Sequence, residues 1–233
     1  NFINKIKNNN DILYYLSTSI LPIDRKERIS SIKGDLQNRE KRVILVSTQL
    51  IEAGVDLDFD IVFRDLAPLD SIIQSSGRCN RNALKEGIVY LFNLIDSDSL
   101  YNRSFYSYIY NDTVMNPTKE LLSLENQLSE SELLDLLNAY YERLQNISSD
   151  NTNYEIIEGF LELKFETINN SFVLIENKPE QLLFVEKDNS ASNILSHYKK
   201  IKQKYTGFEF YNEFIKLKSS IFMYVLSVKI SSK

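Results

Sequence analysis

Residues 47–56 read Ser-Thr-Gln-Leu-Ile-Glu-Ala-Gly-Val-Asp, and residues 74–81 read Gln-Ser-Ser-Gly-Arg-Cys-Asn-Arg. The first stretch is a hydroxyl-rich strand end, then a glycine-bounded turn and an acid. The second sets two arginines, Arg78 and Arg81, three residues apart just after Gly77. A guanidinium stays charged and offers phosphate oxygens a planar fork of donors. The pairing of these stretches suits a surface that meets a nucleic-acid backbone on one side and a nucleotide triphosphate on the other.

The surrounding sequence predicts α/β architecture. Residues 43–46 form a continuous apolar run, as expected of a strand buried on both faces, and residues 61–63 and 88–92 are similar. A further strand is expected over 12–16, after a helix end over 1–9. Asp24 with Glu27 three residues on resembles a capping box, and Ile29, Ile32 and Leu36 follow at helical spacing. Apolar runs alternating with helical segments imply a parallel sheet covered by helices on both faces. In such sheets ligands sit at the carboxyl ends of strands, where Ser47 and Thr48 lie.

The character changes near residue 97. Ser129 and Glu132 form a second capping box, before a helix whose face carries Leu133, Leu137, Tyr140 and Leu144. From 154 to 187 the chain reads as β-like, with strands over 160–165, 172–175 and 182–185 and a turn at Asn169–Asn170. Amphipathic, aromatic-rich segments follow over 193–205 and 208–228. Tyr140, Tyr141, Tyr205, Phe208, Phe210 and Tyr211 are able to stack on bases, but their spacing favours core positions.

The two opening stretches resemble motifs V and VI of the superfamily-two helicases. Their wording is similar to one branch, the CRISPR-associated helicase-nuclease of type I systems, where STQ-x-x-EAGVD and GRCNR are characteristic. The Glu-Leu-Leu-Asp-Leu-Leu-Asn-Ala-Tyr-Tyr run from Glu132 to Tyr141 also resembles that family's post-motor region. The resemblance implies an N-terminally incomplete RecA-like domain over 1–97, a helical connector over 98–150, and a small α+β accessory domain over 151–233.

The resemblance also implies roles. Arg81 is the expected arginine finger, with Arg78 beside it on the phosphates. On a helix the two would share a face and aim into one cleft; the bland alternative is a pair of solvated helix arginines. Gly54, Asp56, Gln74 and Gly77 are expected at ATP. Gly54 would supply a backbone angle closed to other residues, Asp56 would contact ribose or an arginine or else cap a turn, and Gly77 would allow close helix packing. Ser47, Thr48, Gln49 and Arg25 are expected at nucleic acid; the alternative readings are a simple helix cap for Thr48 and a solvated helix face for Arg25 and Arg28. Ser75 departs from the family pattern, which often has arginine after the opening glutamine.

The chain lacks a G-x-x-x-x-G-K-[S/T] phosphate loop and a D-E-x-H or D-E-A-D run for the metal. It begins at Asn1, and the expectation is a C-terminal piece of a longer polypeptide, unable to hydrolyse ATP alone. ATP and Mg²⁺ would be held mainly by the first RecA-like domain. Expected partners are that domain, single-stranded DNA, an RNA-guided surveillance complex and an HD nuclease domain of the parent. His197 is the sole histidine, so no His-Asp nuclease centre and no metal site are expected in these residues. Two other classes stay open: a different superfamily-two DNA or RNA helicase, and a non-hydrolysing helicase-like adaptor for protein binding.

Composition sets outer bounds. The 233 residues are 43% hydrophobic and 25% charged with net charge -5, enough apolar material for a core and no generally basic coat. No apolar run approaches about 20 residues, so no membrane span is expected. A single cysteine, Cys79, forms no internal disulfide and favours a reducing, cytoplasmic setting.

Overall fold

The computed structural model describes residues 11–52, 54–83, 85–123, 127–149, 154–166, 168 and 180–229. In chain order its first elements are β1 (Asp11–Leu16), α1 (Pro22–Asn38), β2 (Arg42–Ser47), β3 (Ile61–Asp65), α2 (Leu69–Ser76) and β4 (Ile88–Phe92). Then come β5 (Ile95–Asp96), β6 (Arg103–Ser104), α3 (Asp112–Leu122), α4 (Leu133–Ser149) and α5 (Tyr154–Leu161). The last are β7 (Glu180–Phe184), α6 (Asn189–Lys204), α7 (Gly207–Phe222) and β8 (Val225–Lys229). The fold is mixed α/β, in two compact units: residues 1–55 with 177–233, and residues 56–176.

In the first unit β1 and β2 pair in parallel, from Asp11 opposite Arg42 to Leu16 opposite Ser47. Parallel neighbours need a crossover, and α1 supplies it. Pro22 opens α1, its fixed φ suiting the first helical position where its missing N–H costs nothing. Arg42 grips the buried Asp11 with two hydrogen bonds, Nε to Oδ1 at 3.0 Å and Nη2 to Oδ2 at 2.5 Å. Ile32 of α1 is fully buried, and Arg28 Nη1 donates to the Tyr15 carbonyl at 3.0 Å. The far end of the sequence joins this unit: Ile23 N–H donates to the Met223 carbonyl at 3.1 Å, and Lys187 pairs with Asp24. There β7 and β8 pair antiparallel, while Tyr198, Phe210 and Phe214 pack ring against ring between α6 and α7.

In the second unit β3 and β4 pair in parallel, Ile61 opposite Ile88 through Asp65 opposite Phe92, with α2 between them in sequence. Pro68 precedes α2 and offers no side-chain cap. The orphan Leu69 N–H instead donates to the buried Thr118 Oγ1 of α3 at 3.0 Å. Leu69, Leu121 and Tyr140 form the core that ties α2, α3 and α4 together, with Leu137 and Leu144 packed against it. The expected capping box is present: the Glu132 carboxylate accepts from the Ser129 N–H at 2.7 Å and its hydroxyl at 2.6 Å, which holds Glu132 below the usual carboxylate range.

Several expectations need correction. Asp24 does not cap α1, because Pro22 starts the helix earlier and places Asp24 inside its first turn. The apolar strands are not enclosed on both faces. Phe63 is 68% exposed and Val46 46%, since a pair only two strands wide cannot cover its own side chains; Phe63 and Tyr90 stack on each other with centroids 5.1 Å apart. Phe160 and Leu161, read as strand, end α5: their bulky apolar run fits helix or strand equally, a known ambiguity of short apolar segments. The helix α3, started by Asn111 accepting from Val114 N–H at 3.2 Å, went unpredicted. The predicted helix end over 1–9, turn at Asn169–Asn170 and strand over 172–175 lie outside the described residues. Among the described residues no helix is long and apolar enough to cross a membrane.

Candidate functional site

The loop after β2 begins against β1. Thr48 N–H donates to the Leu16 carbonyl at 3.2 Å, and Ser47 Oγ to the Thr48 carbonyl at 2.9 Å. A short 3-10 turn over Gln49–Ile51 follows, yet the exposed Thr48 makes no side-chain capping bond to it. The capping alternative for Thr48 is therefore not what its side chain does. Gly54 sits at φ +74°, in the left-handed region closed to most side chains, as expected, and a Cβ there would meet nothing within 4 Å.

Beside this loop lies a concavity of about 380 Å³ whose walls include Pro22, Arg25, Lys26, Leu50, Gly54 and Val55. It brings together Arg25 and Gly54, which the sequence placed in different roles. Arg25 Nε is shielded from solvent without a hydrogen-bond partner. Arg28, by contrast, is committed to a β1 carbonyl.

The second stretch is not helical through its arginines. The helix α2 ends at Ser76, and residues 77–82 form a turn in which Asn80 adopts φ +48°, a conformation Asn tolerates well. Arg78 and Arg81 therefore do not share a helix face. Arg78 is buried at 8% exposure, its N–H donating to the Ser75 carbonyl at 3.1 Å and its carbonyl accepting from Phe59 N–H at 2.9 Å. The Arg81 side chain is 44% exposed, its Nε 3.4 Å from Asp56 Oδ1. Gly77 does not serve close packing: a Cβ there would meet only the carbonyl oxygens of Gln74 and Ile73, at 3.5 and 3.7 Å. Gln74 is exposed, while Ser75 is buried with its Oγ donating back to the Ser71 carbonyl at 2.7 Å, so the departure from the family pattern is spent inside the helix.

The turn is zipped to the segment before β3. Asn80 N–H donates to the Phe59 carbonyl at 2.9 Å, and Phe59 bridges Cys79 in parallel. Asp58 accepts from Arg81 N–H and from Asn82 Nδ2, both at 2.8 Å. Asp60 pairs with Lys85 at 2.6 Å, and Lys85 N–H donates to Asn80 Oδ1 at 3.0 Å. Asp58, Asn80 and Gly87 are the residues that sequence reasoning missed. The signal was present: in Asp56-Leu57-Asp58-Phe59-Asp60 the acids alternate, which on an extended segment puts them on one side, and the buried Leu57 goes to the other. A Cβ on Gly87 would come within 2.7 Å of Cys79 Sγ and 2.8 Å of Asn80 Cβ, so this is the glycine that close approach requires. Burial pushes the Cys79 thiol up, and its sulfur lies 3.4 Å from the Asp60 carbonyl. Among the described residues no cluster of three His, Cys, Asp or Glu side chains would hold a metal ion.

Residues 1–84 match the family model of the CRISPR-associated nuclease/helicase Cas3, C-terminal. The chain is 48% identical over 86 residues to a CRISPR-associated nuclease/helicase Cas3 of Haloferax volcanii, covering 36% of this chain and 9% of that protein. It is 34% identical over 113 residues to the Cas3 of Methanothermobacter thermautotrophicus, covering 47% of this chain and 13% of the relative. The match thus spans only a small part of the curated relatives' length. In fold, 99% of the chain superposes on 30% of T. fusca Cas3 bound to AMPPNP, with a TM-score of 0.63 at 15% identity. A chain in a CRISPR RNA-guided surveillance complex, pre-nicking, gives a TM-score of 0.55 at 16% identity, covering 94% of this chain and 30% of that one. Residues 1–84, which contain both sequence motifs through Arg81, are thus similar to the C-terminal region of CRISPR-associated nuclease/helicase Cas3.

Proposed function

We propose that this chain supplies the second RecA-like motor domain, over 1–97, together with the connector and accessory domain of an ATP-dependent single-stranded DNA translocase that acts in type I CRISPR interference. The observation that carries this reading is the Arg81 turn. Its backbone is fixed by hydrogen bonds to residues 58 and 59, yet its guanidinium stays exposed against the still more open Asp56. An exposed ion pair contributes only about 0.2–1 kcal/mol, so Arg81 is able to leave Asp56 for a phosphate at little cost.

In nucleotide hydrolysis, negative charge gathers on the transferring γ-phosphoryl group, and an arginine delivered to it contributes about 10³ to 10⁵ in rate in related systems. Arg81 takes that role in our reading. Arg78, buried, supports the turn from within and reaches the phosphates less directly. Asp56 acts as the resting partner of the finger, and Gln74, Gly77 and Gly54 are the further residues we assign to ATP. Mg²⁺ and the phosphate loop belong to the first RecA-like domain. Ser47, Thr48 and Gln49 at the end of β2, with Arg25 over its concavity, touch the DNA backbone, contacts that position without reading sequence. The RNA-guided surveillance complex, and an HD nuclease domain in the same polypeptide, are the proposed partners, in the cytoplasm.

The test is the ATP turnover of the full helicase polypeptide with and without single-stranded DNA, beside its Arg81→Ala variant. The expected result is DNA-stimulated turnover that the variant loses by more than about a hundredfold while still binding DNA. DNA-independent turnover, or an unimpaired variant, sinks the motor assignment and favours the non-hydrolysing adaptor.

A further inference from the structure

We propose that Asp58 is a positioning residue for Arg81, the pivot that fixes where the finger side chain leaves the backbone. The inference deepens the motor reading above and rests on it for its catalytic consequence. Three acids in alternation divide the work around one turn. Asp56 meets the guanidinium of Arg81 at 3.4 Å, Asp60 meets Lys85 at 2.6 Å, and Asp58 binds the backbone of Arg81. Its two oxygens are used separately: Oδ1 accepts from Arg81 N–H and Oδ2 from Asn82 Nδ2, each at 2.8 Å. Hydrogen bonds to a charged acceptor are stronger than neutral ones. This pair locks residues 81 and 82 just after the left-handed Asn80, whose own N–H donates to the Phe59 carbonyl at 2.9 Å.

The difference between the Asp56 and Asp58 contacts gives the device its use. The Asp56 contact must break when the guanidinium turns to a phosphate. The Asp58 contacts involve only the backbone and Asn82, so they persist through that exchange. Arg81 then swings about a fixed Cα, and orientation is set before the anion arrives. Pre-set geometry of this kind favours the transition state over the ground state, so its loss lowers kcat more than it raises KM.

The experiment compares Asp58→Ala, Asp58→Asn, Arg81→Ala and the Asp58→Ala/Arg81→Ala double variant in the full helicase polypeptide. It reads DNA-stimulated ATP turnover and amide hydrogen exchange at Arg81. Asp58→Ala is expected to lower kcat at least about tenfold while KM for ATP shifts less than about threefold. Asp58→Asn, which keeps an oxygen acceptor for Arg81 N–H, retains most of the turnover and serves if the alanine variant fails to fold. The double variant is no slower than Arg81→Ala alone, because Asp58 acts through Arg81. Exchange at the Arg81 amide rises in Asp58→Ala and not in Asp58→Asn. Additive losses in the double variant, or a full kcat in Asp58→Ala beside a crippled Arg81→Ala, overturn the proposal. If Arg81→Ala is itself unimpaired, the motor reading falls, and the exchange rate alone decides the positioning: unchanged protection in Asp58→Ala overturns it too.

Discussion

The loop after β2 and the turn after α2 carry the two halves of the same sequence signature, yet they are built by opposite means. The loop has an exposed threonine without a capping bond, a glycine at φ +74° with open space around it, and a concavity flanked by Arg25 and Lys26. The turn has Asp58, Asn80 and Phe59 bound across it, and a glycine, Gly87, pressed against its sulfur. A segment that must grip and release a strand gains from an exposed hydroxyl beside open space. A segment that must present one guanidinium in one direction gains from bonds across it. Openness in the first and bracing in the second are thus the physical counterparts of the two roles proposed for them.

The comparison can be broken most forcefully from beneath the turn. Tyr140, 1% exposed, underlies α2, from which the turn springs, and its hydroxyl donates to the Val114 carbonyl at 3.3 Å. Tyr140→Ala should cost about 3–5 kcal/mol of stability in denaturant unfolding. Burial, followed by the Asp70 carboxylate, pushes the Tyr140 hydroxyl up to about 12. Since the folded state holds this proton more tightly than the unfolded one, the associated stability is complete below about pH 10 and is lost as pH rises towards 12. Tyr140→Phe should lack that alkaline loss, and an identical alkaline profile for it would assign the effect elsewhere.

The two glycines sharpen the contrast further. Gly87→Ala should destabilise by about 1–3 kcal/mol through overpacking, because Cys79 Sγ and Asn80 Cβ have little room to move. Gly54→Ala should cost less, about 1–2 kcal/mol, through backbone angle alone. Asparagine separates the causes: it tolerates a left-handed backbone, so Gly54→Asn is milder than Gly54→Ala, while Gly87→Asn is worse than Gly87→Ala. Thermal melts of the four variants check this, and the reverse order would refute the opposition of angle and space. The smallest effect is expected at Thr48→Ala, within about 0.5 kcal/mol in stability, because its hydroxyl caps nothing. Its loss should appear instead in single-stranded DNA affinity, measured by fluorescence anisotropy; a stability loss with unchanged affinity would make Thr48 a structural residue.

Much of this was legible from local pattern. Parallel β1–β2 and β3–β4 pairs, the Ser129–Glu132 capping box, the left-handed Gly54 and the core helix around Tyr140 all follow from signals a few residues long. Local pattern failed where two local rules competed. Asp24 and Glu27 looked like a cap, but Pro22 outranked them as a helix start. Arg78 and Arg81 sat at helical spacing, but Gly77 and the left-handed Asn80 had already ended the helix.

By itself the sequence determined the alternation of strand and helix, the position of the hydroxyls at a strand end, and the family resemblance of residues 47–81. These depend on residue type and short spacing, which a chain carries wherever it folds. Only the tertiary structure decided that Arg78 is buried while Arg81 is open, that Gly87 rather than Gly77 is the close-packed glycine, and that three alternating acids meet one turn. The acid contacts join residues 23 and 25 positions apart, Asp58 to Arg81 and Asp60 to Lys85. No local propensity encodes such contacts, because they exist only once β3 and the turn after α2 have been brought side by side.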